Sequence, residues 1–253
     1  MPKKLLVIAN WKMNPSSPAE AVILARKIEK GVPRIPDMEI VIAPPFPFLM
    51  PVASALKKSK LGAQDMFWEK EGARTGEVSP LMLKNLCVEY CIIGHSERRA
   101  LGETDEMLNK KIKAALSGRI IPVLAIGEKK RMPEAKMRRV LETQLKKDLN
   151  GVSKIAFKNG VIAYEPVWAI GTGLSATPEH AHKALNIIRE MLKHLWKTKN
   201  ISTRILYGGS VNAKNAGPFA SKKGGGMNGM LVGGASLKAK EFVGIVRSTV
   251  KAK

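Results

Sequence analysis

Apolar residues follow two alternating patterns along this chain. Short unbroken apolar runs are separated by longer segments in which apolar residues recur every three or four positions. The runs are Leu5–Ala9, Glu39–Ala43, Leu61–Gln64, Tyr90–Ile93, Ile120–Ile126, Val161–Tyr164, Arg204–Tyr207 and Gly229–Val232. A run without polar alternation predicts a strand buried on both faces. Between the runs, Ala21, Leu24, Ala25 and Ile28 make one helical stripe, and Leu108, Ile112, Ala115 and Leu116 another. Val140, Leu141, Leu145 and Leu149 make a third, Ala181, Ala184, Leu185, Ile188 and Leu195 a fourth, and Ala239, Phe242, Val243, Val246 and Val250 the last. Ser17-Pro-Ala-Glu20 fits a capping box, and Ser79-Pro80, Thr104-Asp105 and Thr177-Pro178 are similar helix starts.

The strand–helix unit recurs about every 30 residues, which argues for a parallel sheet covered by helices. Eight such units can close into an α/β barrel with no open edge, the (β/α)8 TIM barrel, and a doubly wound open sheet is the alternative. The 253 residues suit one domain, 1–253, and no composition break or long linker divides them.

In a barrel, all strand C-terminal ends share one rim. Polar residues and glycines gather at those ends: Asn10 and Lys12, His95, Glu165, Gly208-Gly209-Ser210, and Gly233-Gly234. Any one of them alone has an ordinary structural reading, as a turn residue, a hydrogen-bonded histidine or a solvated charge. Glu165 closes the sixth run, Pro166 then ends strand pairing, and apolar Val167–Ile170 leads to Gly171 and Gly173. That order suits a general base with a lid, or a surface carboxylate beside an ordinary loop. The paired glycines before helices suit an anion held by bare amides, or tight turns.

Charge adds an oddity. Forty-three Lys and Arg against 21 Asp and Glu give a net charge of +22. Such a field could reflect solubility with no partner at all, steer an anionic substrate, or bind nucleic acid; the lysines are scattered and no basic run carries interleaved aromatics, which favours the first reading and then the second. Nucleic acid and membrane partners are therefore not expected. Cys87 and Cys91 are expected to be small buried hydrophobes of a reduced, cytoplasmic protein, and no targeting segment is evident.

Competing motifs fail. Gly171-Thr-Gly-Leu-Ser-Ala176 matches a dinucleotide fingerprint, yet no acidic residue stands between Glu190 and Glu241 to bind a ribose. No Gly-Lys dipeptide or His-Glu-x-x-His exists, and His180 and His182 lie two apart on a helix.

Asn10-Trp-Lys12, Gly94-His-Ser-Glu-Arg-Arg99, Ile126-Gly-Glu128, Tyr164-Glu-Pro-Val-Trp-Ala-Ile-Gly-Thr-Gly173, Tyr207-Gly-Gly-Ser210 and Leu231-Val-Gly-Gly-Ala-Ser-Leu237 together resemble the triosephosphate isomerase family. The resemblance runs in order over almost the whole chain. It implies a barrel that interconverts dihydroxyacetone phosphate and glyceraldehyde 3-phosphate in glycolysis and gluconeogenesis, with no metal and no cofactor, as a cytoplasmic homodimer. It also implies roles. Glu165 is the base, His95 the neutral electrophile, Lys12 an electrostatic stabiliser and Asn10 a donor to substrate oxygen. Ser96 and Glu97 support them. Amides at Gly171, Ser210, Gly233 and Gly234 grip the phosphate. Pro166, Val167 and Trp168 form the leading lid hinge, Ala169, Thr172 and Gly173 continue the lid, and Ile170 caps the dried site. Thr75, in the loop after strand three, reaches the partner subunit. A different phosphate-handling barrel, for an indole or phosphoribosyl substrate, would need a larger pocket than this lid suits.

The chain departs from the family at three places. Ala125 replaces a cysteine, Leu174 replaces a lysine in the second hinge, and Gly226 and Asn228 occupy a region that usually carries aspartates. The last change is expected to leave Arg189 without an ion-pair partner, and Gly226→Asp is expected to raise the melting temperature.

Overall fold

The computed structural model describes residues 4–171, 175–221 and 226–252. The lid positions Thr172 and Gly173, the hinge position Leu174 and the pair Lys222-Lys223 lie outside the described residues.

Eight parallel strands form a closed barrel in sequence order. They are β1 (Leu5–Asn10), β2 (Met38–Ala43), β3 (Lys60–Ala63), β4 (Tyr90–Ile93), β5 (Ile121–Ile126), β6 (Val161–Tyr164), β7 (Arg204–Tyr207) and β8 (Gly229–Val232). The ring closes because β1 pairs with β2 on one edge, Asn10 against Ala43, and with β8 on the other, Ala9 against Val232. The helices among the described residues are α1 (Pro18–Gly31), α2 (Leu49–Ala53), α3 (Pro80–Asn85), α4 (Ser96–Ala100), α5 (Asp105–Ser117), α6 (Glu134–Asp148), α7 (Pro178–Leu195), α8 (Ala216–Ala220) and α9 (Ala239–Lys251).

Strand residues alternate between two apolar layers. Leu6, Ile8, Val41, Ala43, Ile92, Val123, Ala163 and Leu206 pack together inside the barrel. Their neighbours Val7, Ala9, Ile40, Ile42, Cys91, Leu124 and Ile162 pack outward against the helices. This two-sided burial is why the strands carry no polar alternation. The proposed helix starts are capped as their residue types dictate. Ser17, Ser79, Thr104 and Thr177 accept from the amides of Glu20, Met82, Met107 and His180 at 3.2–3.3 Å. The capping box at Ser17 is one-sided, however, because the Glu20 carboxylate accepts from Ser16 Oγ at 3.1 Å.

Five strand bounds move by one residue: β1 runs on to Asn10, β2 starts at Met38, β3 shifts to Lys60–Ala63 and β5 starts at Ile121. β3 stops at Ala63, and the Gln64 side chain beyond it donates from Nε2 to the Lys12 carbonyl at 2.8 Å and the Ala43 carbonyl at 2.9 Å. β5 starts at Ile121 because the Ile120 amide is taken by Ala115 at the end of α5. At the N-terminal end of the barrel, Arg204 donates to Glu39 and to Tyr90 Oη, and Tyr90 donates to Glu39 at 2.7 Å. Burial pushes the Glu39 carboxyl up, but the bonds from Arg204 and Tyr90 outweigh it and bring it to about 2.

Cys87 differs from expectation. It is exposed, at φ +60 beyond the end of α3, where one left-handed residue turns the chain, whereas Cys91 is buried in β4. Arg189 is half-buried on α7 and makes no ion pair among the described residues, and burial lowers its pKa. Gly226 has φ +61, so an aspartate there carries left-handed backbone strain that offsets any new pairing. Arg189→Met tests the idea without that strain. Removing an unpaired, partly desolvated cation is expected to leave the thermal midpoint unchanged or raise it by a few degrees. A clear fall in a calorimetric scan would count against the account of Arg189.

Candidate active site

The C-terminal rim brings together Asn10, Lys12, His95, Glu165, Ile170, Gly171, Ser210, Gly233 and Gly234 around a cavity of about 340 Å³. Asn10 ends β1, and its Oδ1 accepts from the Lys12 amide at 3.0 Å. Lys12 itself takes φ +54, and its ammonium lies 2.5 Å from Glu97 Oε1. The lysine stem passes beside Gly233, where an added Cβ would meet Lys12 Cε at 3.1 Å.

His95 follows Gly94, whose φ of +77 turns the chain off β4. Arg99 holds that turn by donating to the Gly94 carbonyl at 3.0 Å, while Asp105 at 2.6 Å and Asp148 at 2.7 Å hold Arg99. His95 also caps α4: its Nδ1 accepts from the Glu97 amide at 3.2 Å. That bond assigns the ring proton to Nε2, which points at Glu165 Oε1, 3.4 Å away.

Glu165 is 2% exposed. Its backbone amide donates to the Ile126 carbonyl at 2.8 Å, and a Cβ on Gly127 would lie 1.7 Å from the Glu165 carbonyl oxygen. The backbone under the carboxylate is therefore clamped between β5 and β6. One carboxylate oxygen, Oε2, accepts from the Ser96 amide at 3.0 Å, while Oε1 has no hydrogen-bond partner. An unpartnered buried carboxylate oxygen on the wall of the cavity, beside a ring N–H, is a group able to take a proton from a molecule bound in that cavity.

The glycine turns leave amides free. Among the described residues, no carbonyl takes the amides of Ser210, Gly233 or Gly234. Gly234 opens a 3-10 turn through Leu237, and Gly171 takes φ +72 with open space around it. Bare amides beside the Lys12 cation suit an anion such as a phosphate. Among the described residues, no three His, Cys, Asp or Glu side chains gather where a metal ion could sit.

The chain after Glu165 is tied down. Val167–Ala169 forms a 3-10 turn after Pro166, Ser210 Oγ donates to the Ala169 carbonyl at 2.6 Å, and the Ala176 amide donates to Tyr207 Oη at 3.2 Å. Burial pushes the Tyr207 phenol up to about 12. Trp168 Nε1 donates to Glu128 Oε1 at 2.8 Å. A second cavity of about 250 Å³ lies on the other side of Glu165, lined by Ala125, Arg99, Gln144 and Val167 among others. Thr75 is exposed and does not line the cavity that holds His95 and Glu165.

The family model described as triosephosphate isomerase matches residues 5–249. The chain belongs to the triosephosphate isomerase family. A relative of that name from Dehalococcoides mccartyi strain BAV1 is 47% identical over 97% of this chain and 96% of its own. Those from Carboxydothermus hydrogenoformans and Dictyoglomus thermophilum are 44% and 46% identical, over 98% and 97% of this chain and 100% of each relative. Each is called triosephosphate isomerase, and the match covers nearly the whole of each.

The cavity lining includes rim residues that the sequence singled out, and beyond Ser96 and Glu97 the sequence did not single out the side chains that hold them. Arg99, Gln64 and Tyr207 hold the loops that carry His95, Lys12 and the lid, and Glu128 anchors Trp168. Glu128 stood only as part of a motif. Its total burial arises from the packing of α7 over β6, which no local pattern reports.

Proposed function

We propose that this chain interconverts dihydroxyacetone phosphate and D-glyceraldehyde 3-phosphate through an enediolate. Glu165 Oε1 takes the proton from the carbon next to the carbonyl. His95 Nε2–H hydrogen-bonds the carbonyl oxygen and moves a proton between the two oxygens as the enediolate forms. The Lys12 ammonium stabilises the negative charge that develops, and Asn10 donates to the substrate oxygen. The free amides of Ser210, Gly233 and Gly234, with Gly171, hold the phosphate. Ser96 and Glu97 orient the carboxylate and the imidazole from the start of α4. The observation that carries this reading is the open oxygen of Glu165, 3.4 Å from a ring N–H.

An enediolate phosphate in water would shed its phosphate. A lid hinged at Pro166, Val167 and Trp168, continuing through Ala169 with Ile170 over the base, excludes water during that step. No metal or cofactor takes part, and the reaction serves glycolysis and gluconeogenesis in the cytoplasm. A coupled assay in each direction tests the reading: turnover of both trioses is expected, and an inert folded protein would overturn it.

The same reading makes the chain a homodimer, with Thr75 reaching the partner. Met13 is 92% exposed and Leu101 80% exposed, on the loops after β1 and β4 that flank the site, and a second copy would cover them. Sedimentation at micromolar concentration is expected to give twice the chain mass. A monomer would remove the dimer from the account while leaving the chemistry in place.

A further inference from the structure

Gly127, the residue after β5, lies directly against the backbone of Glu165. A Cβ there would stand 1.7 Å from the Glu165 carbonyl oxygen and 2.5 Å from its carbonyl carbon, so only a bare backbone fits. The contact carries the β5–β6 ladder past the ends of both strands. The Glu165 amide donates to the Ile126 carbonyl at 2.8 Å, and the Val167 amide to the Glu128 carbonyl at 3.1 Å. In a parallel ladder, alternate residues of a strand bond one neighbour, and the residue between them turns its N–H and C=O the other way. Gly127 is the residue between. Its two polar groups face away from Glu165 and need partners of their own.

Gln144 supplies both. It stands half-buried on α6, and its side-chain amide meets Gly127 with two hydrogen bonds. Oε1 accepts from the Gly127 amide at 2.9 Å, and Nε2 donates to the Gly127 carbonyl at 3.2 Å. That pairing sets the orientation of the Gln144 amide, because a peptide N–H only donates and a carbonyl only accepts. Among the described residues, no main-chain group bonds either atom of Gly127. Nor does close packing take the place of these bonds, since Ala125, Gly127, Gln144 and Val167 border the cavity of about 250 Å³ on this side of Glu165.

We infer that Gln144 is a positioning residue for Glu165. By fixing Gly127 it fixes the surface on which the Glu165 backbone rests, and so the place from which the carboxylate reaches towards His95. This deepens the isomerase reading above and rests on it. The same helix holds the histidine. Asp148, one turn after Gln144, pairs at 2.7 Å with Arg99, which donates to the Gly94 carbonyl at the turn before His95. Base and imidazole are thus referred to successive turns of α6.

Gln144→Met tests the inference, since methionine is close to glutamine in length and makes neither bond. A 1 Å misplacement can cost about 10²-fold, and a loosened Gly127 moves the base by less, so kcat is expected to fall about tenfold. KM and inhibition by inorganic phosphate are expected to stay near native, because the phosphate amides sit on other loops, after β7 and β8. Made in Glu165→Gln, the same substitution is expected to cost nothing further. A merely structural residue would lower activity by the same factor in both backgrounds. The Ser96 amide gives a readout without turnover, because it donates to Glu165 Oε2 at 3.0 Å. Its exchange with solvent deuterium, followed by NMR, is expected to quicken in Gln144→Met while the strand amides of Ile92 and Ala163 exchange as slowly as before. Near-native kcat in folded Gln144→Met, an equal fall in both backgrounds, or native exchange at Ser96 would overturn the inference. If Gln144→Met does not fold, Gln144→Asn, whose amide is one methylene short of Gly127, is read in the same way. A native protein inert towards both trioses would sink the isomerase reading, and the Ser96 amide would still decide whether Gln144 places the carboxylate.

Discussion

Glu165→Gln is expected to lower kcat by about 10²–10⁴-fold, the usual worth of a positioned general base, while KM changes little. The amide matches the carboxylate in shape, and its oxygen can still accept from the Ser96 amide, as Glu165 Oε2 does at 3.0 Å. What disappears is the basic oxygen facing His95. The backbone at this position is held by Ile126 and crowded by Gly127, so the substituted side chain starts from the same place. The native carboxylate is 2% exposed, and replacing a buried charge with a neutral amide is not expected to unfold the barrel. A coupled assay beside a thermal scan separates loss of chemistry from loss of fold. Near-native kcat in the folded variant would mean that some other group removes the proton, and the proposed mechanism would fail.

Lys12→Met should cost about 10²–10³-fold in kcat/KM, comparable to removing one preorganised stabiliser of developing negative charge. Two features make this substitution clean. Lys12 sits at φ +54, and methionine inherits the same backbone strain, so the change is confined to the ammonium. The Glu97 carboxylate that loses its 2.5 Å partner is 55% exposed and is answered by water. The loss should appear in both kcat and KM, because the cation faces the anionic phosphate in the ground state and the enediolate later. It should also flatten the dependence of kcat/KM on salt. Unchanged kcat/KM would show that the bare amides of Ser210, Gly233 and Gly234 carry the anion alone.

Much of the barrel could be read from local pattern. The strands Tyr90–Ile93, Val161–Tyr164, Arg204–Tyr207 and Gly229–Val232 stand in the structure with the bounds their apolar runs predicted. Gly94, Pro166, Gly208 and Gly233 follow them and end pairing sharply. The same punctuation put His95, Glu165, Ser210 and Gly233 on one rim, since every parallel strand delivers its last residue to the same side. β3 lies one residue earlier than its run predicted, and the Gln64 side chain beyond it reaches the carbonyls of Lys12 and Ala43, a contact that exists only once β1, β2 and β3 stand side by side.

The chain's periodicity and turn residues thus determined the barrel, its single rim and the residue types placed there, because apolar spacing and backbone restriction act within a few neighbours. Only closure of the barrel decided which charges meet. Glu39 finds Arg204 and Arg99 finds Asp148 across separations of 165 and 49 positions. Burial then sets what those pairs do, because a charge's energy depends on the water and partners left around it, and neither is known until distant strands and helices have packed.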